Sequence, residues 1–197
     1  MKKYLMVGTL VSLDIDKILK VYIRYEMRKL ILYMENRIWI KHIKDKKLIA
    51  IDPGKNGGIA VYSVDKDKLL EVVKMPDTPQ DLLSFLSKYQ VNSKCYLEKV
   101  GGIPGQGGAS SMFNFGKGFG HLEMALLCRK IPTTEVTPQK WQKALQLGTK
   151  GHKSASQWKN KLKAKAQQLY PKVPKITLAI SDALLILEYA RITEKYK

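Results

Sequence analysis

Cysteine, histidine, arginine and acid are all scarce in this chain of 197 residues, and each shortage removes a class of protein. The two cysteines, Cys95 and Cys128, lie in apolar stretches with no C-x-x-C, which excludes a disulfide scaffold and predicts two reduced core residues in a cytosolic-type setting. His42, His121 and His152 are too scattered for a zinc site. No apolar run approaches the ~18 residues that span a bilayer. The start, Met1-Lys2-Lys3 before an apolar Tyr4 to Val11, imitates a signal peptide but lacks a small-residue cleavage site and leads straight into charge. The expected setting is cytoplasmic, with no membrane partner. Phe115-Gly116-Lys117-Gly118 lacks the spacing and hydroxyl of a phosphate loop, and Gly54, Gly57 and Gly58 do not form a dinucleotide fingerprint, so no nucleotide cofactor is expected.

Acid is the most telling shortage. Seventeen acidic residues face 35 basic ones, a net charge of +18. That balance suits a polyanion, most often nucleic acid. Only Arg24, Arg28, Arg37, Arg129 and Arg191 are arginines. Lysine is a point charge suited to phosphate, whereas guanine reading favours arginine, so backbone recognition is expected over base readout. From Val136 to Ser181 there is no acid at all, but ten lysines, among them Lys140, Lys143, Lys150, Lys153, Lys159 and Lys161. So many like charges without counter-charge predict a salt-dependent phosphate-binding surface.

Residues 1–46 form a basic extension, predicted as a helix ending near Asn36, with Ile38 and Ile40 fitting a strand equally well. From Lys47 the pattern sharpens. Leu48 to Ile51 predicts a buried strand, Asp52 to Gly58 a turn, Ile59 to Val64 the returning strand, and Leu69 to Met75 a third. Thr78-Pro79 opens a helix, Lys94 to Val100 is a fourth strand, and Gly101 to Gly108 reads as a flexible glycine loop. A helix capped by Ser110 or Ser111 runs to about Arg129. Thr133 to Val136 is a fifth strand, followed by helices at Pro138–Leu147, Lys153–Leu169 and, capped by Ser181, Asp182 to about Glu194. This order predicts an α/β fold with a mixed five-stranded sheet flanked by helices in residues 47–197.

Three acids interrupt apolar segments. Asp52 ends the first strand, Glu98 lies in the fourth, and Asp182 opens the last helix. A carboxylate among core residues is costly to desolvate unless neutralised, and three converging from distant segments suit a hard divalent cation. Each has an ordinary alternative: a turn aspartate, an edge-strand glutamate, an acid favoured by a helix dipole. Phe113, Phe115 and Phe119, at helical spacing, are expected in the core, and Trp141 and Trp158 as anchors of their helices, with stacking on bases the alternative for the two tryptophans.

The order and surroundings of these acids resemble the RNase H-like superfamily, and within it the Holliday-junction resolvases of the RuvC type. Ile49-Ala50-Ile51-Asp52-Pro53-Gly54 with Gly57-Gly58-Ile59-Ala60 looks like the family's first hairpin, and Leu97-Glu98-Lys99-Val100 like its glutamate strand. Ser111 to Ala125 looks like its long glycine-bearing helix, and Ser181-Asp182-Ala183-Leu184-Leu185-Ile186 like its last one. The resemblance implies an endonuclease that resolves four-way or branched DNA by two-metal hydrolysis, with Asp52, Glu98 and Asp182 holding Mg²⁺ (Mn²⁺ substituting). Lys140 and Lys153 fall where the family keeps lysines near the scissile phosphate, which makes Lys153 a candidate catalytic residue. It further implies a homodimer, with the Ser111 to Arg129 helix as the candidate interface. One departure stands out: the family's second acid, a turn before the last aspartate, is replaced by apolar Leu178, Ala179 and Ile180. Three carboxylates instead of four leave room for a second reading, a catalytically impaired junction-binding protein. An ATPase of the actin and sugar-kinase type also opens on an Asp-x-Gly hairpin but needs two such domains, for which this chain is short.

Overall fold

The computed structural model of the protein describes residues 15–101 and 108–195. The signal-like start and most of the glycine loop fall outside them. The chain divides into two units, Met1–His42 and Ile43–Lys197. Helix α1 (Ile15–Lys44), which begins in the first unit, is continuous past the expected end at Asn36 and takes in Ile38 and Ile40. Neither proline nor glycine interrupts that stretch, so nothing stops the helix there.

The second unit holds strands β1 (Lys47–Asp52), β2 (Gly58–Ser63) and β3 (Lys68–Lys74), helix α2 (Pro79–Tyr89), strand β4 (Ser93–Glu98), helix α3 (Ala109–Cys128), strand β5 (Thr133–Val136) and helices α4 (Pro138–Ala144), α5 (Ala155–Leu169) and α6 (Leu178–Lys195). The sheet order is β3-β2-β1-β4-β5. β1 pairs antiparallel with β2 and parallel with β4, and β5 adds parallel to β4. This is the mixed five-stranded sheet the sequence predicts. Among the described residues no helix is long and apolar enough to cross a membrane.

Strand alternation sends neighbouring side chains to opposite faces. One face, formed by Ile49, Ile51, Ile59, Val61, Cys95 and Leu97, packs on Leu82, Phe85 and Leu86 of α2 and Leu122, Ala125 and Leu126 of α3. The other, with Leu48, Ala50, Ala60 and Tyr96, packs on Trp141 of α4, Trp158, Leu162 and Ala166 of α5, and α6 from Ile180 to Ala190. Trp158, Leu162 and Ala166 recur every four residues, the stripe a helix needs to lie against a neighbour. Both tryptophans thus anchor their helices, as expected.

Local chemistry fixes three of the helix starts. Thr78, Thr137 and Ser154 each accept a backbone N–H as N-caps, Pro79 and Pro138 follow the first two, and Ser154 with Gln157 forms a capping box. Two expected caps are not used. Helix α3 begins after Gly108, with Ser110 and Ser111 inside it. Helix α6 begins at Leu178, so Asp182 sits in its second turn. The Ser181 N–H is already bonded to the Thr177 carbonyl at 3.2 Å, and the Ser181 hydroxyl turns back to the Leu178 carbonyl at 3.1 Å. Cys95 is buried, but Cys128 is exposed at the end of α3, because only one face of that helix meets the sheet.

Candidate active site

Asp52 and Glu98 become neighbours through strand register. β1 and β4 are parallel, and Ile51 is paired with Leu97. The next residue of each strand is an acid. Both fall on the sheet face that carries Leu48, Ala50 and Tyr96, the face covered by α4, α5 and α6. The β1–β2 hairpin that follows Asp52 is too tight for side chains: a Cβ on Gly57 would lie 2.0 Å from the Asp52 carbonyl oxygen. One on Gly58 would lie 2.8 Å from the Ala179 carbonyl oxygen, so glycine lets the first turn of α6 come down on the start of β2. That contact brings Asp182, one turn on, over the ends of β1 and β4.

The three carboxylates therefore come close enough for their charges to act on one another. Burial, followed by the charges of Glu98 and Asp182, pushes Asp52 up to about 8. Burial also raises Glu98, with Asp182 adding to it and the Trp141 hydrogen bond pulling the other way. Both carboxyls therefore give up their protons less readily than a free acid, Asp52 holding its own up to about 8. The Trp141 indole N–H donates to Glu98 Oε1 at 2.9 Å. Lys159 Nζ donates to Asp182 Oδ2 at 2.5 Å, and the Ser181 hydroxyl to Asp182 Oδ1 at 3.2 Å.

The donor set is three hard carboxylates from three elements, which suits a Mg²⁺-type ion that keeps several waters. The oxygens are not gathered about one point, and among the described residues no group of three His, Cys, Asp or Glu side chains is arranged to enclose an ion. One oxygen of Asp182 is already bonded to the Lys159 ammonium.

The lysines expected at a phosphate surface separate into two groups. Lys140, Lys143, Lys150 and Lys153 are exposed along α4 and the turn before α5. Lys161 is tied down: its ammonium donates to the Leu147 carbonyl at 2.6 Å and lies 5.3 Å from the centre of the Trp158 ring. The ammonium bonded to Asp182 belongs to Lys159, expected only as a phosphate contact, while Lys153 stands exposed on the preceding turn.

Two roles escaped the sequence reading. Trp141 was an anchor there, but a buried indole also needs an acceptor, and Glu98 is the one within reach. Lys159 follows Trp158 and so borders the buried stripe of α5, a position from which a long side chain can reach α6. Of the phenylalanines expected in the core, Phe119 packs against it and Phe115 rests against Gly54, but Phe113 is 71 % exposed.

The fold is that of a RuvC-like, RNase H-type α/β domain. Two solved structures carry this likeness. Thermus thermophilus RuvC in complex with a Holliday-junction substrate aligns at a TM-score of 0.53 and 19 % identity, covering 76 % of this chain and 96 % of that one. Thermus thermophilus RuvC aligns at 0.51 and 18 %, with the same coverage. No family model matches the sequence, and no curated protein matches it significantly.

Proposed function

We propose that the protein is a divalent-metal-dependent endonuclease that resolves four-way or branched DNA junctions by phosphodiester hydrolysis. The observation that carries this reading is the meeting of Asp52, Glu98 and Asp182 on the sheet face covered by the lysine-rich, acid-free helices α4 and α5. A site that concentrates negative charge beside a surface that attracts phosphate suits the cutting of a nucleic-acid backbone.

Asp52, Glu98 and Asp182 would hold Mg²⁺, with Mn²⁺ able to replace it. When bound, the metal supplies an activated water and stabilises the leaving 3′ oxygen. The protein's own groups do the rest. Trp141 holds the Glu98 carboxylate in one orientation. A bound cation would displace the proton that the raised Asp52 carboxyl retains. Lys140, Lys143, Lys150 and Lys153 bind phosphates along the approaching strand, with Lys153 placed nearest the chemistry by the resemblance.

Paired cuts need two active sites, and a homodimer provides them. The exposed side of α3 is our candidate interface. Phe113, Met124 and Leu127 are exposed on it, and a Cβ added to Gly116 or Gly120 would meet open space, which permits close helix approach.

The test is cleavage of a synthetic four-way junction with Mg²⁺ or Mn²⁺. Symmetric nicks that vanish with chelator support the reading. Binding without cleavage at any metal concentration instead favours a catalytically impaired junction-binding protein, a reading supported by the apolar Ala179 and by the hold of Lys159 on Asp182.

A further inference from the structure

We propose that Lys159 is a built-in cation standing in the place of a second metal ion, so that the carboxylate cluster takes one divalent cation per chain. The inference rests on the metal-dependent reading of the site and departs from a two-ion centre.

Ligand supply is the first argument. A second ion needs carboxylate oxygens of its own, and the helical position one turn before Asp182 that would offer them is Ala179. Leu178 and Ile180 beside it offer none. The second argument is where the existing oxygens are spent. Asp182 Oδ2 accepts from the Lys159 ammonium at 2.5 Å. The Ser181 hydroxyl lies 3.2 Å from Asp182 Oδ1, but its single proton is shared with the Leu178 carbonyl at 3.1 Å. The last-helix carboxylate therefore already has a cation on one oxygen.

Charge is the third argument. One divalent ion together with the Lys159 ammonium balances three carboxylates. Two ions and the ammonium would leave a partly buried cluster with surplus positive charge, which a low-dielectric setting penalises. The lysine is also anchored well enough to act as a fixed group. Its helix is pinned by the Ser154–Gln157 capping box and by the buried Trp158 and Leu162 on either side of it. Neighbouring basic residues do not duplicate the role: Lys161 is bonded to the Leu147 carbonyl, and Lys153 is exposed on the turn before the helix.

The experiment counts Mn²⁺ on the full chain by calorimetry and by electron paramagnetic resonance, without DNA, with thermal melts to show that each variant folds. The wild type is expected to bind one ion with an uncoupled spectrum. Lys159→Gln frees Asp182 and should bind its ion at least several-fold more tightly. Lys159→Glu supplies the missing acid and should bind two ions with a spin-coupled spectrum. Two coupled ions in the wild type, unchanged affinity in Lys159→Gln, or a single ion in folded Lys159→Glu each overturn the inference while leaving the nuclease reading in place. No ion bound by any of the three proteins removes the metal-dependent reading as well.

Discussion

The two ends of the sheet treat the same kind of residue in opposite ways. Helix α6 runs back along β1, and it carries an acid near each of its ends. From Asp182 to Glu194 is about 18 Å of helix, close to the ~17 Å of strand from Lys47 to Asp52. At the far end, Glu194 is held by Lys46 at 2.9 Å, Lys94 at 2.7 Å and the Tyr96 hydroxyl at 2.6 Å. Those partners outweigh burial and bring Glu194 down to about 2. Nearby Asp45 is likewise lowered, despite burial, by Ser63 and Lys66. At the near end, Asp52 and Glu98 are raised by burial and by the neighbouring carboxylates, with Lys159 pulling the other way. One end satisfies its carboxylates and gains stability. The other leaves them under-neutralised, the condition in which a cation gains most by binding.

The strongest way to break this comparison is to neutralise acids at the near end. Asp52→Asn, Glu98→Gln and Asp182→Asn are each expected to cut junction cleavage by more than the roughly 10–100-fold that follows removal of a group that merely supports a metal ligand. Melting temperatures should hold or rise, and junction binding should stay equal or tighten as negative charge is removed. Near wild-type cleavage by any of the three would take that residue out of the site.

At the far end the expectation reverses. Glu194→Gln should destabilise the fold by about 1.5–3 kcal/mol, the range for charged hydrogen bonds, read from denaturant melts. Cleavage per folded molecule should stay close to wild type. A loss of cleavage without a loss of stability would show that the two ends do not divide labour in this way.

Titration of the metal-free protein sharpens the contrast, because the two signs differ. Glu194 is lowered to about 2, so its contribution is complete above the usual glutamate value and fades as pH falls toward 2. Asp52 is raised to about 8, so the folded chain keeps a proton that the unfolded chain has lost. That contribution is present at acid pH and declines as pH rises from about 4 to about 8. Melts across pH should show both limbs, and Asp52→Asn should flatten the alkaline one. Mn²⁺ affinity should rise with pH up to about 8, with proton release seen as a buffer-dependent heat.

The smallest expected effect concerns the lysines. Replacing Lys140, Lys143 and Lys150 with alanine should lower the slope of log K against log salt by about one for every phosphate left without its lysine. An unchanged slope would move the DNA surface elsewhere, with the basic α1 the next place to look.

Much of this was legible in the chain. Alternating and continuous apolar runs placed all five strands to within one or two residues, and Thr78-Pro79 marked the start of α2. The errors were local competitions. Ser181 has the chemistry of a cap but spends its hydroxyl on the Leu178 carbonyl, and Cys128 sits in an apolar stretch but on the far side of α3. Asp52, Glu98 and Asp182 stood out because each breaks an apolar segment.

The sequence by itself determined the element types, the acid-free basic stretch and the identity of the three candidate carboxylates, because these depend on neighbours within a few residues. Only the tertiary structure decided what meets what. The Ile51–Leu97 register set two carboxylates side by side, and the glycine contact at Gly58 brought α6 down beside them. Helical phase turned Trp141 toward Glu98 and Lys159 toward Asp182. The same packing left one end of the sheet charge-satisfied and the other not. Charges interact across space with a strength set by distance and burial, and neither can be read from positions 46, 84 and 130 residues apart along the chain.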